Sequence, residues 1–270
     1  MHTEEIMNLA LQLADMKTIP ADSAIHVSGE NIRKVLLCID AGPAELLLAK
    51  DLGCDAVIAH HPIGTTSLNF HLVFDRHVEY MLEHGIPRSV AEEAVKKLKD
   101  RVALRSHTTI YTHTVAVAKK LNMPLMNIHL PCDELMRRTI LAQLKASRIE
   151  KVSDIKTAVE QIPEFRNAET KVQVPYGDPS SKVGNYALVI AAGTNGGYPV
   201  AKAYFEHGVS TVIYLHVNGE DLAKLNEERV KGNLVILGHL AGDSIGLNQL
   251  ADALEKEGIE IVKLGILDRM

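Results

Sequence analysis

Short apolar runs rich in β-branched residues alternate along this 270-residue chain with amphipathic stretches, and that order limits the fold more than any other feature. Strands separated by helices cannot pair as tight hairpins. Each needs a crossover, and crossovers build a mainly parallel sheet covered by helices. Strands are predicted at 35–39, 56–59, 124–128, 171–174, 186–191, 211–215, 234–237 and 259–262. Between them Val90, Ala94, Leu98 and Val102 form one helical stripe, and Met136, Ile140 and Leu144 another. Pro43 suits the first position of a helix that Gly53 ends, and Gly85 and Pro87 close a helix running through 70–84. The stretch 163–183 holds Pro163, Pro175, Gly177, Pro179 and Ser180-Ser181 and reads as a long loop. The prediction is an α/β protein of two layered halves with mainly parallel sheets, 1–160 and 161–270. Ligands in such sheets gather beyond the carboxyl ends of the strands, so a site is expected in the cleft where the halves meet.

Composition removes several function classes. Hydrophobic residues at 46% and charged residues at 23% exclude a disordered chain. No apolar run reaches the roughly 18 residues of a membrane span, and residues 1–5 carry neither a basic nor an apolar leader region. A net charge of −5 and 4% aromatic residues give no footprint for nucleic acid. Three cysteines without a C-x-x-C pair make a disulfide framework or zinc ribbon unexpected, so a reducing cytoplasm is the expected location. Thirteen histidines remain to be explained.

Four predicted strands run directly into histidine. Residues 56–59 lead into His60-His61, 124–128 into His129, 211–215 into His216, and 234–238 into His239. Two of these histidines are followed four residues later by aspartate, His129 by Asp133 and His239 by Asp243. A single strand-end histidine is ordinarily a surface residue, and either aspartate could be a plain helix cap. Four strand-end histidines, two with an aspartate one turn on, favour a mixed N/O metal site for Zn, Mn or Fe. Pro62 holds His61 extended, so His60 and His61 project differently and each could serve one of two ions. Of the others, His84 suits a helix C-terminus, His71, His77 and His207 are expected at the surface, and His107 and His113 are ambiguous.

The loop from Ala192 through Gly193, Thr194, Asn195, Gly196 and Gly197 lies between a strand and a helix beginning near Pro199. Its backbone N–H groups could cradle an anion at the helix start, although it has neither P-loop nor G-x-G-x-x-G spacing. A tight strand-to-helix turn explains it equally well.

Lys34 to Asp40, Ala59-His60-His61-Pro62, His129 to Asp133, Gly193 to Gly197 and Gly238-His239 to Asp243 occur in an order that resembles the Nif-three-like family, also described as GTP cyclohydrolase I type 2 homologues. The resemblance runs from about Ile32 to Leu264. It implies a dinuclear centre held by His60, His61, Asp133, His239 and Asp243, with the two aspartates as bridging carboxylates and His129 beside them. The late acid of the family is usually glutamate, and the segment 87–123 is longer here than in commoner members. The resemblance further implies ring-like homo-oligomers, here a homohexamer. The expected function is a metal-dependent hydrolase of a nucleotide or related small molecule. His216 would pass a proton or orient water, and Gly193 to Gly197 would take a phosphate. The competing expectation is a non-catalytic metal-binding or regulatory ring-forming protein, whose metal positions would all be filled by protein ligands.

Overall fold

Helices between the strands dictate parallel pairing, and the structure follows that rule in two sheets. The structure, a computed structural model, describes residues 1–191 and 193–269. In chain order its elements are α1 (Thr3–Leu13), β1 (Ala24–Val27), β2 (Lys34–Cys38), α2 (Pro43–Asp51), β3 (Ala56–Ala59), α3 (Thr66–Asn69), α4 (Asp75–Glu83), α5 (Arg88–Ser106), α6 (His113–Leu121) and β4 (Leu125–Asn127). They continue as α7 (Leu130–Ala146), α8 (Asp154–Val159), α9 (Pro163–Asn167), β5 (Gln173–Tyr176), β6 (Tyr186–Leu188), α10 (Gly197–Glu206), β7 (Thr211–Tyr214), α11 (Gly219–Glu228), β8 (Asn233–Ile236), α12 (His239–Lys256) and β9 (Glu260–Leu264).

The chain forms two compact units. Met1–Val73, Val102–Leu135 and Asp243–Ile266 make the first; Phe74–Arg101, Met136–Gly242 and the residues from Leu267 onward make the second. The first unit's sheet has the order β1-β4-β3-β2-β9, parallel throughout except for β1. The second has the order β5-β8-β7-β6, parallel except for β5.

In the first unit both faces of the sheet are buried, and successive side chains go to opposite cores. Val35, Leu37, Ala56 and Ile58 join α1 (Ile6, Met7, Ala10, Leu11) and α12 (Leu247, Leu250, Ala251, Leu254). Leu36, Cys38, Val57 and Ala59 join Leu46 and Ala49 of α2 and Ala118 of α6. Pro43 opens α2 as expected, with Glu45 Oε2 accepting the N–H of Gly42 at 2.7 Å, and Gly53 follows its end at φ +68°.

Four local expectations are corrected. β1 was not foreseen: it is four half-buried residues on a sheet edge, with no apolar run to mark it. The loop expected at 163–183 contains α9, opened by Pro163, and the strand expected at 171–174 within it is β5, two residues further on. Pro175 is accommodated because β5 is an antiparallel edge strand, where a missing N–H costs no ladder bond. The helix expected through 70–84 is a 3₁₀ turn over Phe70–Phe74 followed by α4. His77 is fully buried on the face of α4 that also buries Val78, Tyr80 and Met81.

Helices α7 and α12 approach closely at Gly246. A Cβ there would stand 2.2 Å from the carbonyl oxygen of Cys132, a backbone atom that cannot swing aside. Gly246→Ala should therefore destabilise the protein by about 1–3 kcal/mol in urea unfolding, as overpacking does. Gly258→Ala, at φ +82° with nothing within 4 Å of its Cβ, should cost only the left-handed strain of about 1 kcal/mol. Equal losses in the two variants would contradict the close helix contact.

Candidate metal centre

The alternation of β3 continues past its end. Ala56 and Ile58 face the core shared with α12, and His60 takes the next position of that series, fully buried. His61 keeps 26% of its side chain exposed. The Nδ1 of His60 meets the carbonyl of Ile128 at 3.1 Å, which leaves Nε2 for two carboxylates. Asp133 Oδ1 lies 3.3 Å from that nitrogen and Asp243 Oδ1 3.7 Å. His61 Nδ1 meets Asp40 Oδ1 at 2.8 Å, and its Nε2 lies 3.3 Å from Asp243 Oδ2. His129 Nδ1 meets Asp22 Oδ2 at 2.7 Å and lies 3.3 Å from Asp133 Oδ2.

Ligand-capable atoms of His60, Asp133 and Asp243 fall within 4.8 Å of one another, as do those of His60, His61 and His129. His60 Nε2 and both carboxylate oxygens of Asp133 are buried without a hydrogen bond. Buried polar atoms ordinarily find partners, so unsatisfied donors and acceptors converging on one point call for a cation. The donor set of imidazole nitrogen and carboxylate oxygen fits a divalent first-row metal. Electrostatics agree. Burial opposes charge on His60, yet Asp133 and Asp243 outweigh it and raise its pKa well above the usual histidine value. Burial likewise opposes charge on His61, and its contact with Asp243 prevails. The carboxylates draw positive charge into this space.

These residues all belong to the first unit. Asp243, expected from the second half of the chain, lies there because the apolar stripe of α12 that follows it packs against β2 and β3. His239 begins α12 one turn before Asp243 and belongs to the second unit, where its ring lies 4.9 Å from that of the exposed His216. Asn195 Oδ1 accepts the backbone N–H of Leu215 at 3.0 Å and of His216 at 3.4 Å. Sequence reasoning gave no role to Asp22, Ser23, Asp40 or Asn127. Asp40 stood within a quoted motif, whereas Asp22 follows Pro20-Ala21 and has the local pattern of any turn residue.

The family model for Duf34/NIF3 (NGG1p interacting factor 3) matches residues 23–266. The chain belongs to the Duf34/NIF3 family. A NIF3 superfamily protein from Sphaerobacter thermophilus is 45% identical over 99% of both chains, with a TM-score of 0.94. Reduced HcgD from Methanocaldococcus jannaschii matches at 14% identity over 98% of both chains with a TM-score of 0.61, and the protein ybgI, of unknown function, at 16% over 100% of both with 0.56. At those identities the last two speak for the fold alone. Comparison with curated proteins gave no match.

The glycine-rich loop of this NIF3-family chain is tied both to itself and to its neighbours. Thr194 exchanges backbone hydrogen bonds with Ala191, its hydroxyl donates to the Ala191 carbonyl, and His77 Nε2 meets that hydroxyl at 2.9 Å. Gly197 opens α10 at φ +62°, two residues before the expected Pro199, and Ala192 lies outside the described residues. No described helix is long and apolar enough to cross a membrane.

Burial lowers the His77 pKa from 6.5 to about 3, so the folded protein holds this ring neutral. Below pH 6.5 the unfolded chain binds a proton that the native state refuses, and stability falls with pH until about 3. Between pH 6.5 and 5 the metal-stripped wild type should lose about 2 kcal/mol more than His77→Gln, at 1.36 kcal/mol per pH unit. Parallel stability–pH curves for the two proteins would refute the neutral buried ring.

Proposed function

We propose that this protein is a divalent-metal-dependent hydrolase of small molecules, with a dinuclear centre. The observation that carries this reading is the convergence of His60 Nε2 and the two Asp133 oxygens in a buried space without hydrogen bonds, beside Asp243. His60, His61, Asp133 and Asp243 would hold the ions, joined by His239, which shares a helix face with Asp243 at the i, i+4 spacing. The nitrogen and oxygen donors suit Zn, Mn or Fe alike, and the two aspartates would be shared between the ions, as the family resemblance implies. When bound, such ions supply Lewis acidity and bring the pKa of a coordinated water towards neutrality.

The chain's own residues do the rest. His60, gripped by a backbone carbonyl, fixes the buried side of the site. His61 is oriented by Asp40 and partly exposed, which supports an open position for substrate rather than a sealed structural site. His216, whose backbone Asn195 pins, is the proposed proton carrier. A nucleotide substrate and a phosphate role for Gly193 to Gly197 follow from the family resemblance. With the N–H of Thr194 already bonded to Ala191, Asn195, Gly196 and Gly197 would supply the contacts.

The test is a turnover screen of nucleotides, pterin precursors and phosphoesters on protein loaded with Zn²⁺, Mn²⁺ or Fe²⁺, its occupancy verified by elemental analysis. Hydrolysis that chelator abolishes and metal restores is expected. Full occupancy with no turnover of any class would overturn the hydrolase reading. Asp243→Ala should weaken metal binding by more than about 100-fold and His216→Ala by far less, since losses at residues that only orient ligands run to roughly 10- to 100-fold. Metal at a hundred times its Kd should also raise stability by about 2.7 kcal/mol, visible as a higher Tm than in chelator. An unchanged Tm after verified removal would contradict a site that holds the fold.

A further inference from the structure

Asp22 sits in the turn before β1 with no exposed surface. Its Oδ2 accepts from His129 Nδ1 at 2.7 Å, and its Oδ1 accepts from the Ser23 hydroxyl at 3.4 Å. Its backbone carbonyl accepts from Asn127 Nδ2 at 2.7 Å. The Asn127 amide is itself fixed, because its Oδ1 takes hydrogen bonds from the Thr66 hydroxyl at 3.0 Å and from His26 Nε2 at 2.9 Å. The Ser23 hydroxyl oxygen also accepts the backbone N–H of His129 at 2.9 Å. Two adjacent residues of one turn therefore grip both the ring and the backbone of His129.

Burying a carboxylate is costly, and this one is aimed at a single imidazole nitrogen. With Nδ1–H directed to Asp22, the lone pair of His129 is on Nε2. A carboxylate behind a ligating imidazole fixes its tautomer and raises its basicity. A ring nitrogen of His129 lies within 4.8 Å of ring nitrogens of His60 and His61. Asp40 does the same for His61, but its side chain is 84% exposed and water screens it. Asp22 has no such screening.

We propose that His129 is a further ligand of the metal centre and that Asp22, acting through it, is its positioning residue. The inference rests on the metal-centre reading above. Zn²⁺ affinity is measured on chelator-stripped, full-length protein by competition with a chromophoric chelator, alongside circular dichroism of each metal-free variant. Asp22→Asn should bind Zn²⁺ about 10- to 100-fold more weakly, the usual loss when a carboxylate behind a ligand is removed. His129→Ala should lose at least as much. In the His129→Ala background, Asp22→Asn should add no further loss, because its effect passes through that ring. Affinities within about twofold of wild type for either single variant, or losses that multiply in the double variant, overturn the proposal. If a variant does not fold, wild-type protein labelled with ¹⁵N-histidine decides: Zn²⁺ should shift the Nε2 resonance of His129 together with that of His60, and an unmoved His129 overturns the proposal. A wild type that takes up no Zn²⁺, Mn²⁺ or Fe²⁺ sinks the metal reading itself, whereas uptake with unaltered variants sinks only the roles of His129 and Asp22.

Discussion

Two carboxylates share one imidazole where almost no water reaches, and the architecture around His60 is organised by that constraint. Asp133 and Asp243 are 1% and 2% exposed, and neither can be taken out of water cheaply without a countercharge. In the metal-free chain the two carboxylates favour a proton on His60 against the desolvation that opposes it. That compensation is partial, because one proton faces two carboxylates and both oxygens of Asp133 make no hydrogen bond. A divalent cation answers the same field with twice the charge and can bind several oxygens at once. The donor chemistry and the electrostatics thus point to one kind of occupant.

Holding such a site requires backbone that does not yield. His60 follows β3, a central strand paired with β2 on one side and β4 on the other and buried on both faces. Its backbone N–H reaches the carbonyls of Cys38 and Ile39, and its ring nitrogen reaches that of Ile128. The ends of three strands therefore fix this residue. Asp133 lies in the first turn of α7, its N–H bonded to the carbonyl of His129. Asp243 is carried by α12, whose core-facing leucines anchor it. Each segment that carries one of these residues is set by apolar burial, and that framework places the charged groups.

That division explains what was legible in the sequence. The central strands β2, β3, β7 and β8 are apolar runs, because parallel strands buried on both faces must be, and they stood out. The edge strand β1 is short and half-buried, so it resembled a loop, whereas β5, which contains a proline, lies two residues beyond the strand expected at 171–174. His60, His61, Asp133 and Asp243 were readable because strand ends and helical spacing are local patterns, and the structure brings the four together. Asp22 was not readable: it meets His129 from 107 positions away, and no local period marks such a contact. His77 was misjudged because its aromatic and apolar neighbours Phe74, Val78 and Met81 define the buried face of α4, whereas a lone histidine in a polar-looking helix reads as surface.

The aspartate at 243 raises a question of reach. An aspartate reaches one methylene less far than a glutamate, so its carboxylate stays close to the backbone of α12. Asp243 comes within 3.3 Å of His61 and 3.7 Å of His60. Gly246 is the neighbouring feature of α12. It lies three residues along α12 and hence on the same side of the helix as Asp243, where the absence of a side chain lets α12 settle against the backbone of α7 at Cys132. Cys132 immediately precedes Asp133. That close contact joins the two helices that bear the buried carboxylates.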